Sequence, residues 1–280
     1  MSIRQDFKDF ISNENNIRRL PTGITNFDNA LDGGLPTGLT ILGARTGLGK
    51  TTFVLQLADN LIKQANTKVL FFSLELNKFE LLTKSLSRLS YFDNELTTHT
   101  PNSFMKNEVE NIDTYFDKYE EYGNNIFLID SIRDLGGIIA NIKHFCKNHP
   151  NDKVVVIVDY IQYIDYNILN DKQKVDVIIK ALKTLSSNMN IPIIAISSLS
   201  RDGSKKNDIS SFKESGSIEY TADYGIILTE KEQTTNRLAF DTDDDRSKTI
   251  TLTFLKNRFN FDDFSFDMKY YGQYATFIEI

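Results

Sequence analysis

Residues 44 to 51 read Ala44-Arg45-Thr46-Gly47-Leu48-Gly49-Lys50-Thr51, between the apolar run 39–42 and a helix-like stretch at 52–59. A glycine-rich turn with a strand before it and a helix behind it is the signature of a phosphate-binding loop. Gly47 and Gly49 let the backbone turn tightly enough for several N–H groups to face one phosphate. Lys50 brings a cation toward the β- and γ-phosphates of a nucleotide, and Thr51 offers a hydroxyl to Mg²⁺. The expected nucleotide-lining residues are therefore Ala44, Arg45, Thr46, Gly47, Leu48, Gly49, Lys50, Thr51 and Thr52. Ala44 departs from the strict pattern, which has glycine at that position. The competing reading is a plain glycine-rich turn in an α/β domain.

Outward from this loop, the apolar runs 39–42, 69–72, 126–129, 154–158 and 193–196 read as buried strands. Amphipathic stretches at 51–64, 78–90, 104–120, 135–148 and 171–188 read as helices between them. In the last of these, Val175, Ile178, Leu182 and Leu185 recur on one face. Continuously apolar strands alternating with helices predict a mainly parallel sheet with helices on both faces, the α/β architecture of a P-loop NTPase core. Beyond residue 223 the pattern shortens to strands near 224–229, 236–240, 249–255 and 274–280, which predicts an antiparallel C-terminal extension. Ahead of the loop, Ile3, Phe7, Phe10 and Ile11 share one helical face, and polar residues 12–16 end that helix. Residues 1–16 are thus expected to form a helical appendage, and 17–280 one domain.

Two carboxylates belong with the loop. The buried run 154–158 ends in Asp159, whose side chain emerges at the carboxyl edge of the sheet, where ligands bind in such folds. Asp159 is the expected Mg²⁺-side partner of Lys50 and Thr51. Glu75 ends a similar construction, Phe71-Phe72-Ser73-Leu74-Glu75, on the strand after the loop's helix. A carboxylate there could orient and deprotonate a water attacking the γ-phosphate, or it could cap the following helix or simply be solvated.

Bulk properties narrow the class. The chain has 280 residues, 32 Lys plus Arg against 38 Asp plus Glu, and a net charge of −6. That balance argues against a protein that coats nucleic acid with a broadly basic surface, but leaves room for a basic groove or pore. No signal-peptide core opens the sequence and no apolar stretch approaches membrane-spanning length, so a cytoplasmic protein without a membrane partner is expected. Cys146 is the single cysteine, which rules out an internal disulfide, fits a reducing compartment and predicts a small buried hydrophobe.

Further blocks carry a resemblance. Thr22-Gly23-Ile24, Phe27-Asp28, Leu31 and Gly33-Gly34-Leu35 precede the loop. Residues 71–76 read FFSLEL, 159–164 DYIQYI, 191–201 IPIIAISSLSR and 214–223 ESGSIEYTAD, with Lys256-Asn257-Arg258 later. In this order and spacing they resemble the RecA-like motor domain of DnaB-type replicative helicases, from about residue 17 to the end.

The resemblance implies an ATP- and Mg²⁺-dependent DNA helicase of replication, a homo-oligomer that forms a ring, hexameric in this family, and moves 5′ to 3′ on single-stranded DNA. It places Glu75 at the catalytic carboxylate and Gln162 in a block that couples the site to the DNA face. It places Lys256 and Arg258 among cations that reach a neighbouring subunit's γ-phosphate. The local pattern allows this, because Lys256 and Arg258 continue the even-numbered face of Ile250, Leu252 and Phe254 as the strand leaves the core. A charged strand end is the bland alternative. Ser198 stands where the family carries a nucleotide-sensing Gln, and its shorter side chain would reach a phosphate only through water. Single-stranded DNA would meet the loop after the 193–196 strand, through Arg201, Gly203, Lys205 and Lys206, which neutralise phosphates without reading bases. The N-terminal helix either docks on the adjacent subunit or packs on its own domain. The family's sizeable N-terminal collar is not represented in these residues, so a motor domain nearly alone is expected, with a loader or primase as a further partner. Two other functions stay open: a RecA-fold nucleotide switch that assembles without unwinding, and a recombination-type ATPase that coats single strands.

Asp241, Asp243 and Asp245 imitate the start of a calcium loop, but Arg246 holds the turn position that needs glycine and Leu252 the place of the closing Glu. His99, His144 and His149 lack metal-site spacing.

Overall fold

A computed structural model of the chain describes residues 2–5, 8, 19–167, 170–199, 220–231, 247–258 and 264–280. A short helix α1 (Thr25–Ala30) leads into strand β1 (Gly38–Ala44), the loop, and helix α2 (Lys50–Ile62). Strand β2 (Thr67–Ser73) is followed by helices α3 (Lys78–Phe92), α4 (Pro101–Met105) and α5 (Ile112–Gly123). Then come β3 (Ile126–Ile129), α6 (Leu135–Asn148), β4 (Lys153–Asp159), α7 (Asp171–Met189) and β5 (Pro192–Ser198). The last strands are β6 (Tyr224–Glu230), β7 (Lys248–Asn257), β8 (Phe264–Tyr271) and β9 (Thr276–Glu279).

All nine strands join one sheet in the order β3-β2-β4-β5-β1-β6-β7-β8-β9. The first six in that order run parallel, and β7, β8 and β9 continue antiparallel. The buried runs of β1 and β4 reflect a sheet covered on both faces. One face packs α2 through Phe53, Val54 and Leu57 with Phe27, Phe254 and Phe277. The other packs α6 and α7 through Ile138, Ile142, Val175, Ile178 and Leu182.

Local chemistry sets the helix ends. Asn77 caps α3 and forms a capping box with Glu80. Asp134 caps α6 by accepting from the Gly137 N–H at 2.6 Å. Asn190, left-handed at φ 52°, ends α7.

Several expectations need correction. The strand at 224–229, expected in the antiparallel extension, is β6 and pairs with β1 in parallel, because the chain returns to the sheet centre before the antiparallel strands begin. The single helix expected over 104–120 is two helices, α4 and α5. Between them Asn107 and Asn111 adopt positive φ, a conformation that asparagine tolerates and a continuous helix does not. The final strand is shorter than expected, since Gly272–Tyr274 forms a 3₁₀ turn ahead of β9. Strand β8 has no counterpart in the sequence reading, although Phe264, Phe266, Met268 and Tyr270 alternate as a half-buried strand does. Cys146 is half-buried against the α6–α7 core rather than fully enclosed, and burial raises its thiol pKa. The strand expected at 236–240, the acidic 241–245 stretch and most of the N-terminal helix lie outside the described residues. Residues 3–5 and 8 are helical.

A buried polar cluster ties the helices on the loop's side together. Arg88 Nη2 meets Asp59 Oδ2 at 2.5 Å, Tyr119 donates to Asp59 Oδ1 at 3.0 Å, and Arg88 Nη1 donates to the Ala275 carbonyl. This joins α2, α3 and α5 to the turn before β9. Burial, then the Asp59 carboxylate, push the Tyr119 phenol well above its ordinary pKa. Arg88→Ala would leave Asp59 buried without its cation and is expected to cost about 3–5 kcal/mol, read from urea unfolding.

Candidate functional site

The loop at 45–49 leaves the carboxyl end of β1, a central strand with parallel neighbours on both sides. Gly47 and Gly49 have φ of 86° and 80°, so both positions need glycine. Arg45, Thr46 and Gly47 are exposed, whereas Leu48 turns into the core. The first helical N–H bond of α2 runs from Phe53 to the Gly49 carbonyl at 2.8 Å. Among the described residues the N–H groups of Lys50, Thr51 and Thr52 therefore have no backbone acceptor, and they form the positive end of a helix. The Thr52 side chain is buried, which leaves its N–H as the group it can offer a ligand.

Lys50 Nζ donates to the carbonyls of Ala44 at 2.8 Å and Arg45 at 3.2 Å, folding back over the loop. Burial lowers its pKa, while Asp159 and Glu75 pull it back up. Thr51 Oγ1 donates to Asp159 Oδ2 at 2.6 Å, so the end of β4 and the start of α2 share one contact. The Asp159 carboxyl is pushed up to about 6, chiefly by burial, against the lowering effect of the Thr51 hydrogen bond. A hydroxyl beside a carboxylate is a hard-oxygen set suited to Mg²⁺, which keeps waters and phosphate oxygens as its other ligands. No group of three or more His, Cys, Asp or Glu among the described residues could hold a metal by itself.

Glu75 is exposed just past β2, and its charge acts on both Lys50 and Asp159. The helix-capping alternative for Glu75 fails, because Asn77 and Glu80 cap α3. Lys84 is a site neighbour that the sequence reading lacks. It lies on α3 one turn from Glu80 and one from Arg88; burial and Arg88 lower its pKa, and Glu80 and Asp159 raise it. A lysine one turn before an apolar helix face carries no sequence signal of this role.

Ser198 pairs with Ala44 across β5 and β1, which puts it beside the start of the loop. Gln162, in the 3₁₀ turn after Asp159, donates from Nε2 to Ser197 Oγ at 2.9 Å and accepts from the Ser198 N–H at 3.4 Å. The β4 and β5 tips are thus linked by an amide side chain. Arg201, Gly203, Lys205 and Lys206 lie outside the described residues.

Lys256 and Arg258 sit elsewhere. Ile226 faces Phe254 but Gly225 faces Lys256, so Leu255 is an extra residue, a β-bulge. The bulge reverses the alternation: Asn257, not Lys256, continues the face of Phe254, burying its side chain to donate to the Ala30 carbonyl at 2.9 Å. The expectation that Lys256 and Arg258 extend the even-numbered core face is therefore wrong. Arg258 Nη1 instead meets Asp223 Oδ1 at 2.9 Å, on the side of α7, whose Lys183 Nζ lies 2.7 Å from Asp223 Oδ2. Asp223 is 3% exposed and Arg258 59%. Burial raises the Asp223 pKa, but hydrogen bonds from Lys183, Leu39 N–H and Arg258 outweigh it and hold it low. This cluster lies at the amino-terminal edge of β1 and β6, opposite the loop.

Loop, sheet order and the Thr51–Asp159 contact define a RecA-like P-loop domain, and solved structures agree. One of them, an ATPase domain, superposes with a TM-score of 0.80, at 19% identity over 99% of this chain and 97% of that one. A DnaB-like replicative helicase, described with its interactions with primase, gives 0.76 at 20% identity over 99% of this chain and 66% of that one. The chain belongs to the DnaB-like helicase C-terminal domain family, whose model matches residues 19–279. Similar curated proteins include the replicative DNA helicases DnaB of Haemophilus influenzae, 26% identical over 78% of this chain, and of Geobacillus stearothermophilus, 28% over 76%. Each is covered over 47% of its own length, so the chain spans about half of the relatives it matches. No helix among the described residues is long and apolar enough to cross a membrane.

Proposed function

We propose that this chain is the motor of a cytoplasmic, ring-shaped DNA helicase that couples ATP hydrolysis between subunits to 5′-to-3′ movement on single-stranded DNA during replication. The observation that carries the shared-site reading is the position of Arg258. Tyr224 pairs with both Thr40 of β1 and Asn257 of β7, so Arg258 leaves the sheet at the edge away from its own loop. From Thr40 to Ala44 is about 13 Å of strand, before the loop and the side chain are added. A cation there serves a neighbour's nucleotide more readily than its own.

In this reading the N–H groups of Gly49 through Thr52 and the Lys50 ammonium bind the triphosphate. Thr51 and Asp159 hold Mg²⁺, which when bound neutralises developing phosphate charge. Glu75 receives a proton from the attacking water, and Lys84 adds positive charge beside Asp159. Lys256 and Arg258 of one subunit complete the next subunit's site, so a ring, hexameric by family, is the hydrolysing unit. Arg201, Gly203, Lys205 and Lys206 line the channel on the DNA backbone. The N-terminal helix docks on the adjacent subunit, and a loader or primase is the further partner. Ser198 favours a second reading, a nucleotide switch that assembles without unwinding, because the side chain beside Ala44 is too short to sense a phosphate directly.

The test is turnover with and without single-stranded DNA at two salt concentrations, with a forked-duplex unwinding assay. DNA is expected to stimulate hydrolysis, and less so at the higher salt. Replacing Lys205 and Lys206 together by alanine should weaken that stimulation and flatten its salt dependence while leaving DNA-free turnover intact. Assembled rings that hydrolyse ATP but ignore DNA would point to the switch.

A further inference from the structure

The C-terminal hairpin β8–β9 packs directly against the phosphate loop. A Cβ built on Gly49 would lie 2.8 Å from Tyr270 Cζ and 2.9 Å from Phe277 Cζ, so these two rings fill the space behind that residue. The rings stack with centroids 4.4 Å apart at 17°, and Phe277 meets Phe53 of α2 edge-on at 5.4 Å. Gln56, two turns into α2, fixes the register. Its amide donates to the Phe277 carbonyl at 2.8 Å and accepts from the Phe277 N–H at 2.8 Å. Among the described residues nothing lies within 4 Å of a Cβ built on Gly47. The loop is therefore packed at Gly49 and open at Gly47. The packed side is formed by the Tyr270 and Phe277 rings, which restrict the turn at Gly49.

We propose that Tyr270 is a positioning residue for nucleotide binding: its ring, held by Phe277, keeps the Gly49 turn in the conformation that receives phosphate. Tyr270 does not touch the nucleotide; it limits what the loop can do before the nucleotide arrives. Its hydroxyl makes no hydrogen bond among the described residues, so the bulk of the ring at Cζ carries the effect. If removing the ring leaves the loop competent about a tenth of the time, apparent affinity falls about tenfold. The inference rests on the loop's nucleotide binding and is independent of DNA movement and of the shared site.

The experiment is equilibrium titration of the full chain with a fluorescent, non-hydrolysable ATP analogue and Mg²⁺ well below the unfolding temperature, with steady-state turnover alongside. Tyr270→Ala is expected to raise Kd and KM about tenfold with kcat little changed, and Tyr270→Phe to bind as the parent does. Tyr91→Ala is the control. Its ring packs on Tyr271 and Tyr274 of the same hairpin, at 5.8 and 5.3 Å, and is not among the atoms nearest Gly49. It should lower Tm without changing Kd. Tyr270→Leu, which keeps an apolar filler, serves if the alanine chain does not fold, and should show a smaller rise in Kd. Parent-like affinity in Tyr270→Ala or, failing that, in Tyr270→Leu would overturn the proposal. So would an equal loss of affinity in Tyr91→Ala. A parent chain that binds no nucleotide would instead remove the phosphate-loop reading on which the proposal stands.

Discussion

An Arg258→Ala chain is expected to bind nucleotide as the parent does, to assemble, and to hydrolyse ATP about 10³–10⁵-fold more slowly, the range for losing a cation supplied in trans. Arg258 lies at the sheet edge opposite its own phosphate loop and is largely exposed, so its removal leaves that loop untouched. With Arg258 removed, Asp223 keeps the Lys183 ammonium and the hydrogen bond from the Leu39 N–H, so the chain is expected to fold. Subunit mixing gives the sharper test. Arg258→Ala chains keep an intact loop and Lys50→Ala chains keep an intact Arg258, so mixed rings should regain turnover that neither variant shows alone. A verified monomer hydrolysing at the full oligomer rate would sink the shared-site model.

Lys50→Ala is expected to lower turnover by at least roughly 10²–10³-fold in unmixed rings, the scale for losing one preorganised charge at a reacting centre. Lys50 is held over the loop by two carbonyls and faces Asp159 and Glu75, so no neighbouring side chain replaces it. Lys84 shares the field of Asp159 from a different helix. Turnover at saturating Mg·ATP is the measurement. Near-parent activity would mean that Lys84 or another cation carries the role.

The parts of the fold legible in the sequence are those whose signal is local. β1, the loop and α2 follow from adjacent residues, and the other buried parallel strands announce themselves as apolar runs except β6, whose parallel pairing with β1 has no local signal. Asp159 is placeable because a carboxylate ending such a strand has one edge to emerge from. The faces of Lys256 and Arg258 are misread for the opposite reason. Whether β7 alternates without interruption depends on its pairing with β6, and the adjacent apolar residues Phe254 and Leu255 are the trace of the bulge. β8 escapes the sequence reading despite its alternation, because the aromatic residues that face inward are brought into register only by β7 and β9. Lys84 and Tyr270 owe their places to contacts distant in sequence, and no spacing rule reaches them.

β8 also has a consequence beyond packing. It begins just after Arg258 and the segment that follows it, and it ends at Tyr270 and Tyr271 beside Gly49. On the shared-site proposal, a single strand of about 25 Å would join the back wall of a subunit's own site to the arm offered to the next. In a ring closed by head-to-tail contacts, every such strand points the same way round. Neighbouring sites would then be linked in one rotational sense, and the firing order of the ring would be written into the topology of each chain.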